Sequence, residues 1–295
     1  MRRTLLAAGA ALAAIALAAA PRTVTDDSGH EVVVGTPPLR IVSLSPGGTE
    51  TLFAAGAGAQ VIATVEYSDE PLAARAVPRI GDAAAIDLER LLALRPDVIV
   101  AWPGGGNPAQ RARIAGLGIP VYEQEVERLA SLPASVRRLG ALAGTGPVAE
   151  RSAKDMEARL ASLRETYGAG TGRRPSVLLQ IWDRPIYTVG GEHLMSDALA
   201  LCGTRNVFED LREASPVVST EAVIERNPDI IIAAGPPGEG AHWLADWKRF
   251  PSLAAVRNGR LVAFDDQALS RLGPSVIAAT GELCRTLAPL TRGSY

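Results

Sequence analysis

Apolar and polar positions along the chain form a pattern that occurs twice. Asp87-Leu-Glu-Arg-Leu-Leu-Ala-Leu-Arg-Pro-Asp-Val-Ile-Val-Ala101 returns as Ser219-Thr-Glu-Ala-Val-Ile-Glu-Arg-Asn-Pro-Asp-Ile-Ile-Ile-Ala233. Glu89 and Glu221, Pro96 and Pro228, Asp97 and Asp229, and Ala101 and Ala233 fall in register. Each copy opens with apolar residues at helical spacing and stops before a proline, which disfavours the α conformation in the residue ahead of it. The apolar run that follows suits a strand covered on both faces. Two such units predict two similar α/β lobes, and two lobes predict a cleft.

The rest of the chain fits that frame. Thr23 to Val34 reads as a hairpin turning at Asp26-Asp27-Ser28-Gly29. Arg40 to Leu44 is a first strand, Pro46-Gly47-Gly48 a turn, Thr49 to Ala55 a helix, and Val61 to Val65 a second strand. After the first repeat come the loop Trp102 to Asn107, a helix near Gln110 to Leu117 and a strand at Ile119 to Tyr122. Strand and helix alternation of this kind builds a parallel sheet. From Pro147 to Tyr167 the apolar positions Val148, Ala149, Ala153, Met156, Leu160 and Leu163 share one face, with Pro147 at a favourable first position. That predicts one long amphipathic helix and a stiff hinge. A second lobe follows: a strand at Ser176 to Ile181, a turn at Gly190-Gly191, a helix near Cys202, the second repeat, a strand at Leu261 to Phe264 and a last helix opened by Pro274. The divisions are 1–20 as a signal peptide, 23–36 the hairpin, 37–146 the first lobe, 147–168 the backbone helix and 174–295 the second lobe. The fold class is α/β, with two Rossmann-like lobes joined by a single long helix.

Composition narrows the function. With 295 residues, 47% of them apolar, and a formal net charge of −2, the chain can build real cores. It lacks the concentrated basic surface that nucleic acid requires. Arg2-Arg3, the apolar stretch Leu5 to Leu17 and Ala18-Ala19-Ala20 read as a secretory signal, too short to span a membrane. No cysteine lies near that site, so export without a lipid anchor is expected. The two cysteines, Cys202 and Cys284, are in an exported chain most simply one disulfide, with two buried thiols as the alternative.

Motifs of hydrolases, zinc proteases, nucleotide-binding loops and dithiol redox centres are missing. Gly104-Gly105-Gly106 lies between a strand and a helix but lacks phosphate-loop spacing. His30, His193 and His242 are scattered and read as ordinary polar surface residues, with metal or haem ligation the alternative for His193 and His242, so no metal site is expected. Aromatic residues are only 4% of the chain, yet Tyr67, Trp102, Trp182 and Tyr187 fall in loops next to strands. The carboxyl ends of parallel strands are where open α/β sheets hold ligands, and aromatic walls suit a large flat one.

Arg40-Ile-Val-Ser-Leu-Ser-Pro-Gly-Gly-Thr-Glu50, Tyr67-Ser-Asp-Glu-Pro71, Asp87 to Trp102, Leu201-Cys202-Gly203, Val218-Ser-Thr-Glu221 and Leu283-Cys284 together carry a resemblance. Over roughly residues 39 to 290 the chain resembles the class III periplasmic solute-binding proteins of ABC importers, most of all their cobalamin-binding branch. The resemblance implies a non-enzymatic, periplasmic, monomeric protein without a cofactor of its own. It would carry a corrinoid between its lobes to an importer permease and, through it, the ATPase. Haem or a ferric siderophore is the alternative cargo, and an exported α/β enzyme a distant one. It implies ligand contacts at Tyr67, Trp102, Tyr187, Asp266 and Arg271, a disulfide between Cys202 and Cys284, and permease docking through Glu221. Its first-lobe docking position is Pro108 here, and tryptophans expected near Ala83 and Ser215 are absent.

Overall fold

The computed structural model describes residues 21–291, apart from 38, 83–84, 169–171, 237 and 265–267. The signal segment 1–20 and Asp266 lie outside the described residues. A hairpin of β1 (Arg22–Thr25) and β2 (Glu31–Val34) precedes the first lobe. That lobe runs β3 (Ile41–Ser43), α1 (Pro46–Ala54), β4 (Val61–Ala63), α2 (Leu88–Ala93), β5 (Val98–Ala101), α3 (Pro108–Ala115), β6 (Val121–Glu123) and α4 (Leu132–Ala143). Next comes the long helix α5 (Gly146–Tyr167). The second lobe runs β7 (Ser176–Gln180), α6 (Leu194–Leu201), β8 (Arg205–Asn206), α7 (Thr220–Arg226), β9 (Ile230–Ala234), α8 (Glu239–Trp247), α9 (Ala254–Arg257), β10 (Leu261–Phe264), α10 (Ala268–Arg271) and α11 (Val276–Thr291). Both sheets are parallel and have one topology, β4-β3-β5-β6 and β8-β7-β9-β10.

The repeated segment is the unit that ties neighbouring strands together. Asp87 and Ser219 cap α2 and α7 by accepting the N–H three residues on. Arg95 and Asn227 then adopt left-handed φ values of 46° and 43° just before the prolines. Asp97 accepts the Arg40 N–H at 2.7 Å, and Asp229 accepts the Ser176 N–H at 2.8 Å. Each aspartate thus anchors the lead-in to the adjacent strand, β3 or β7, and sets its register.

Alternation along β5, β7 and β9 divides the interior. Val98, Val100, Val177, Leu179, Ile230 and Ile232 face one core that runs between the lobes and includes Met156 and Leu160 of α5. Ile99 faces a core of the first lobe alone, and Leu178 and Ile231 one of the second. The lobes share an apolar core at the back, which opposes large relative motion.

Three sequence readings change. The helix read as Thr49 to Ala55 begins at Pro46, because Ser45 Oγ accepts the Gly48 N–H at 3.1 Å and Pro46 suits the first turn. Helix α4 was not anticipated, since Pro133 and Gly140 interrupt its pattern. Both have local reasons: Pro133 is in the first turn, and a Cβ on Gly140 would lie 2.2 Å from the Ala149 Cβ of α5. The third is His193, which is buried at the start of α6.

Candidate functional site

A cavity of about 470 Å³ opens at the carboxyl ends of β5 and β6 and is closed on the far side by Ser270, Arg271 and Leu272 at α10. The two lobes meet at its floor. Gly47 lies so close to α10 that a Cβ there would be 2.2 Å from the Arg271 carbonyl oxygen. Beside it the buried Glu50 carboxylate accepts hydrogen bonds from the Ser275 N–H and, at 2.8 Å, from the Ser275 hydroxyl. Burial pushes the Glu50 carboxyl up, while the Ser275 bonds and the Arg271 charge oppose that shift.

Trp102 lines the cavity where the chain leaves β5. Its ring lies on its own glycine loop: a Cβ on Gly104 or Gly105 would come within 2.8 or 2.7 Å of ring carbons. Arg111 of α3 donates to the Gly105 and Gly106 carbonyls and clamps the loop, and Asn107 caps α3 by accepting the Ala109 N–H. The glycine run is therefore a seat for an aromatic plane, and its resemblance to a phosphate loop goes no further.

Of the residues singled out in the sequence, the cavity brings together Trp102 and Arg271. Tyr67 does not line it; the side chain is 74% exposed, at a left-handed φ of 65°. Its loop is tied down by polar contacts all the same. Thr49, Thr64 and Ser68 form a buried chain of hydroxyls beneath it, and Arg79 donates to the Ser68 carbonyl and pairs with Asp69 at 3.1 Å. Tyr187 is half-buried in a small bridge with Trp182 and does not line the cavity either. Trp182 is 51% exposed, with its ring edge-on to Trp243 at 6.1 Å. Nothing in the sequence pattern marks Gln124, which lines the same cavity, or the loop clamp made by Arg111.

Glu221 is exposed in the first turn of α7. Its own N–H and the Ser219 hydroxyl hold its carboxyl below the usual range, so it stays ionised. Glu89 takes the same place in α2, while Pro108 is the first residue of α3. Cys202, at the end of α6, is bonded to Cys284 of α11. His30 is exposed, its Nδ1 3.7 Å from Asp26 and 3.6 Å from Glu123, a grouping the sequence did not suggest.

His193 corrects the surface reading made for it. It is buried at the start of α6, where Nδ1 accepts the Met195 N–H at 3.1 Å, and burial lowers its pKa to about 4. The unfolded imidazole binds a proton near pH 6.5 and the folded one only near 4, so stability is lost as pH falls through that window. The expected slope is at most about 1.4 kcal/mol per pH unit. His193→Asn keeps a neutral cap acceptor and is expected to flatten it. Urea unfolding of both proteins at pH 7 and 4.5 tests this, and equal losses in the two would reject it.

Two α/β lobes of one topology, joined by a single helix and meeting at a cleft lined by Trp102, define a class of two-lobed binding proteins. The chain belongs to the periplasmic binding protein family, whose model matches residues 41–268. It is 34% identical over 257 residues to the vitamin B12-binding protein of Pectobacterium carotovorum, covering 87% of this chain and 91% of that one. It is 32% identical over 251 residues to the vitamin B12-binding protein of Vibrio cholerae, covering 85% and 90%. The crystal structure of the periplasmic vitamin B12-binding protein BtuF of Vibrio cholerae superposes with a TM-score of 0.75 at 30% identity, covering 86% of this chain and 98% of that one. The periplasmic haem-binding protein RhuT of Roseiflexus superposes at 0.71 with 24% identity over 85% and 98%, which reflects the shared fold. Among the described residues no helix is long and apolar enough to cross a membrane.

Proposed function

We propose that the cleft takes a cobalamin-like corrinoid in the periplasm and that the protein delivers it to an ABC importer without chemical change. The observation that carries this reading is the Trp102 ring, seated on Gly104 and Gly105 in the cavity that Arg271 also lines. An aromatic plane fixed before binding suits a flat, largely neutral macrocycle. Tyr67, Tyr187 and Asp266 would extend the contact beyond the cavity once the ligand bridges the lobes. Haem fits less well: its iron takes an axial His, Tyr, Met or Cys, the described residues lining the cavity include none of these, and an axial ligand would have to come from Tyr67 or Tyr187 outside it. An anionic siderophore calls for free cations, but Arg111 is spent on the loop carbonyls and Arg271 lies in the field of Glu50.

Calorimetric titration with cyanocobalamin, haemin and a ferric siderophore tests the reading. Saturation by cyanocobalamin at micromolar concentration or below is expected; saturation by one of the others alone rejects it.

Docking would use Glu221 and its counterpart in the repeat, Glu89, both exposed in the first turns of equivalent helices. Two acids related by the duplication suit a permease of two like halves, and Pro108 then has no docking role. The Glu89→Ala, Glu221→Ala double variant is expected to bind ligand normally and to lose most cobalamin uptake in cells. Full uptake would reject the role.

A further inference from the structure

We propose that Gln124 is a ligand-orienting residue whose carboxamide donates a hydrogen bond to a carbonyl oxygen on the rim of the bound ligand. The proposal rests on the reading of the cleft as a corrinoid site. Gln124 follows β6 directly, and its backbone N–H donates to the Ala101 carbonyl at 2.8 Å. Its backbone is thereby fixed beside the residue that leads into Trp102. The residue lines the cavity and is 4% exposed. Its Nε2 is buried and has no hydrogen-bond partner, the only such side-chain nitrogen or oxygen among the described residues.

That isolation points to a ligand. Buried polar groups are nearly always paired, because an unmade bond costs the full desolvation of the group. Elsewhere in this chain the rule holds even for dense clusters such as Thr49, Thr64 and Ser68. An amide left unpaired at the wall of the binding cavity has its partner supplied from outside. A turn of the terminal amide presents its donor to the cleft, and a ligand acceptor then satisfies it. A corrin ring carries carboxamide side chains around its rim, so a carbonyl acceptor beside a ring stacked on Trp102 is the matching chemistry.

Gln124→Met keeps the length of the side chain and removes the amide. Calorimetry with cyanocobalamin and thermal melting of the ligand-free protein are the two measurements. Binding is expected to weaken about three- to tenfold, the worth of one neutral hydrogen bond. The free variant is expected to melt above wild type, because the unpaired amide is gone. A purely structural glutamine would instead lower the melting temperature when replaced. Affinity within twofold of wild type overturns the proposal, whichever way the melting temperature moves. If wild type binds haemin and not cyanocobalamin, the corrinoid reading fails. The assignment of Gln124 is then decided by the same ratio for haemin, whose propionates are also acceptors.

Discussion

Replacing Trp102 with alanine is expected to weaken cobalamin binding roughly 30- to 150-fold while leaving the fold intact. Covering one face of a large aromatic side chain is worth about 2–3 kcal/mol when transfer and ring contact are added, and each 1.4 kcal/mol is tenfold in affinity. The stacking plane here is set before the ligand arrives, by Gly104 and Gly105 beneath the ring and by Arg111 on the loop carbonyls. Little ordering cost therefore remains to be met on binding. Trp102→Phe keeps a plane of smaller area and is expected to fall between wild type and alanine. Because Trp102 is only partly buried and belongs to none of the hydrophobic cores, the alanine variant should melt close to wild type. Calorimetric affinities of the three proteins for cyanocobalamin at neutral pH test the argument. An alanine variant within threefold of wild type would mean that the ring walls the cleft without touching the ligand.

The scaffold was legible in the sequence because its determinants are local and duplicated. Pro96 and Pro228, with the apolar runs after them, mark helix ends and buried strands wherever they occur. The unbroken amphipathic stretch after Pro147 can only be a long helix. What the pattern did not convey was the purpose of the aspartates in the repeat. Asp97 and Asp229 follow the prolines as if they were solvent-facing turn residues, yet each anchors a backbone N–H more than fifty residues earlier in the chain. Glycines misled for a similar reason. Gly47 and Gly140 look like helix breakers, and both sit inside helices where another helix comes too close for a Cβ. The meaning of Gly47 depends on a partner far away in sequence, and that of Gly140 on the helix that follows it.

The site was legible only in outline. Trp102 stands out as an aromatic after a strand in an aromatic-poor chain, whereas Arg271 is pointed to only by the family resemblance; both line the cavity. Gln124 gave no signal, since a glutamine beyond a strand is ordinary until its amide proves buried and unpaired. His193 reads as exposed because a lone histidine after a Gly-Gly-Glu turn looks like a surface residue. Its cap bond to Met195 and its burial arise from packing that the local sequence does not encode.

Removing the Cys202–Cys284 bond is expected to cost about 2–4 kcal/mol of stability with little change in ligand affinity. The bond closes a loop with a sequence separation of 82, which holds β8, α7, β9, α8, α9, β10 and α10. Most of the second lobe, including Arg271 at the cleft, is thus held in one closed ring whose unfolded ensemble is restricted. The sulfurs themselves are buried in the core shared by both lobes, on α6 and α11, away from the cavity lining. The affinity of the folded state should therefore be nearly independent of the bond. A Cys202→Ala, Cys284→Ala variant and the reduced wild type give two estimates of the same cost. The alanine variant adds the loss of two buried sulfurs, and the reduced protein does not. Both should unfold at lower urea than the oxidised protein, in a single transition, because the shared core couples the lobes. A first transition confined to the second lobe would show instead that the disulfide stabilises that lobe alone. An unfolding midpoint unmoved by reduction would overturn the prediction and place the stability of the second lobe entirely in its packing.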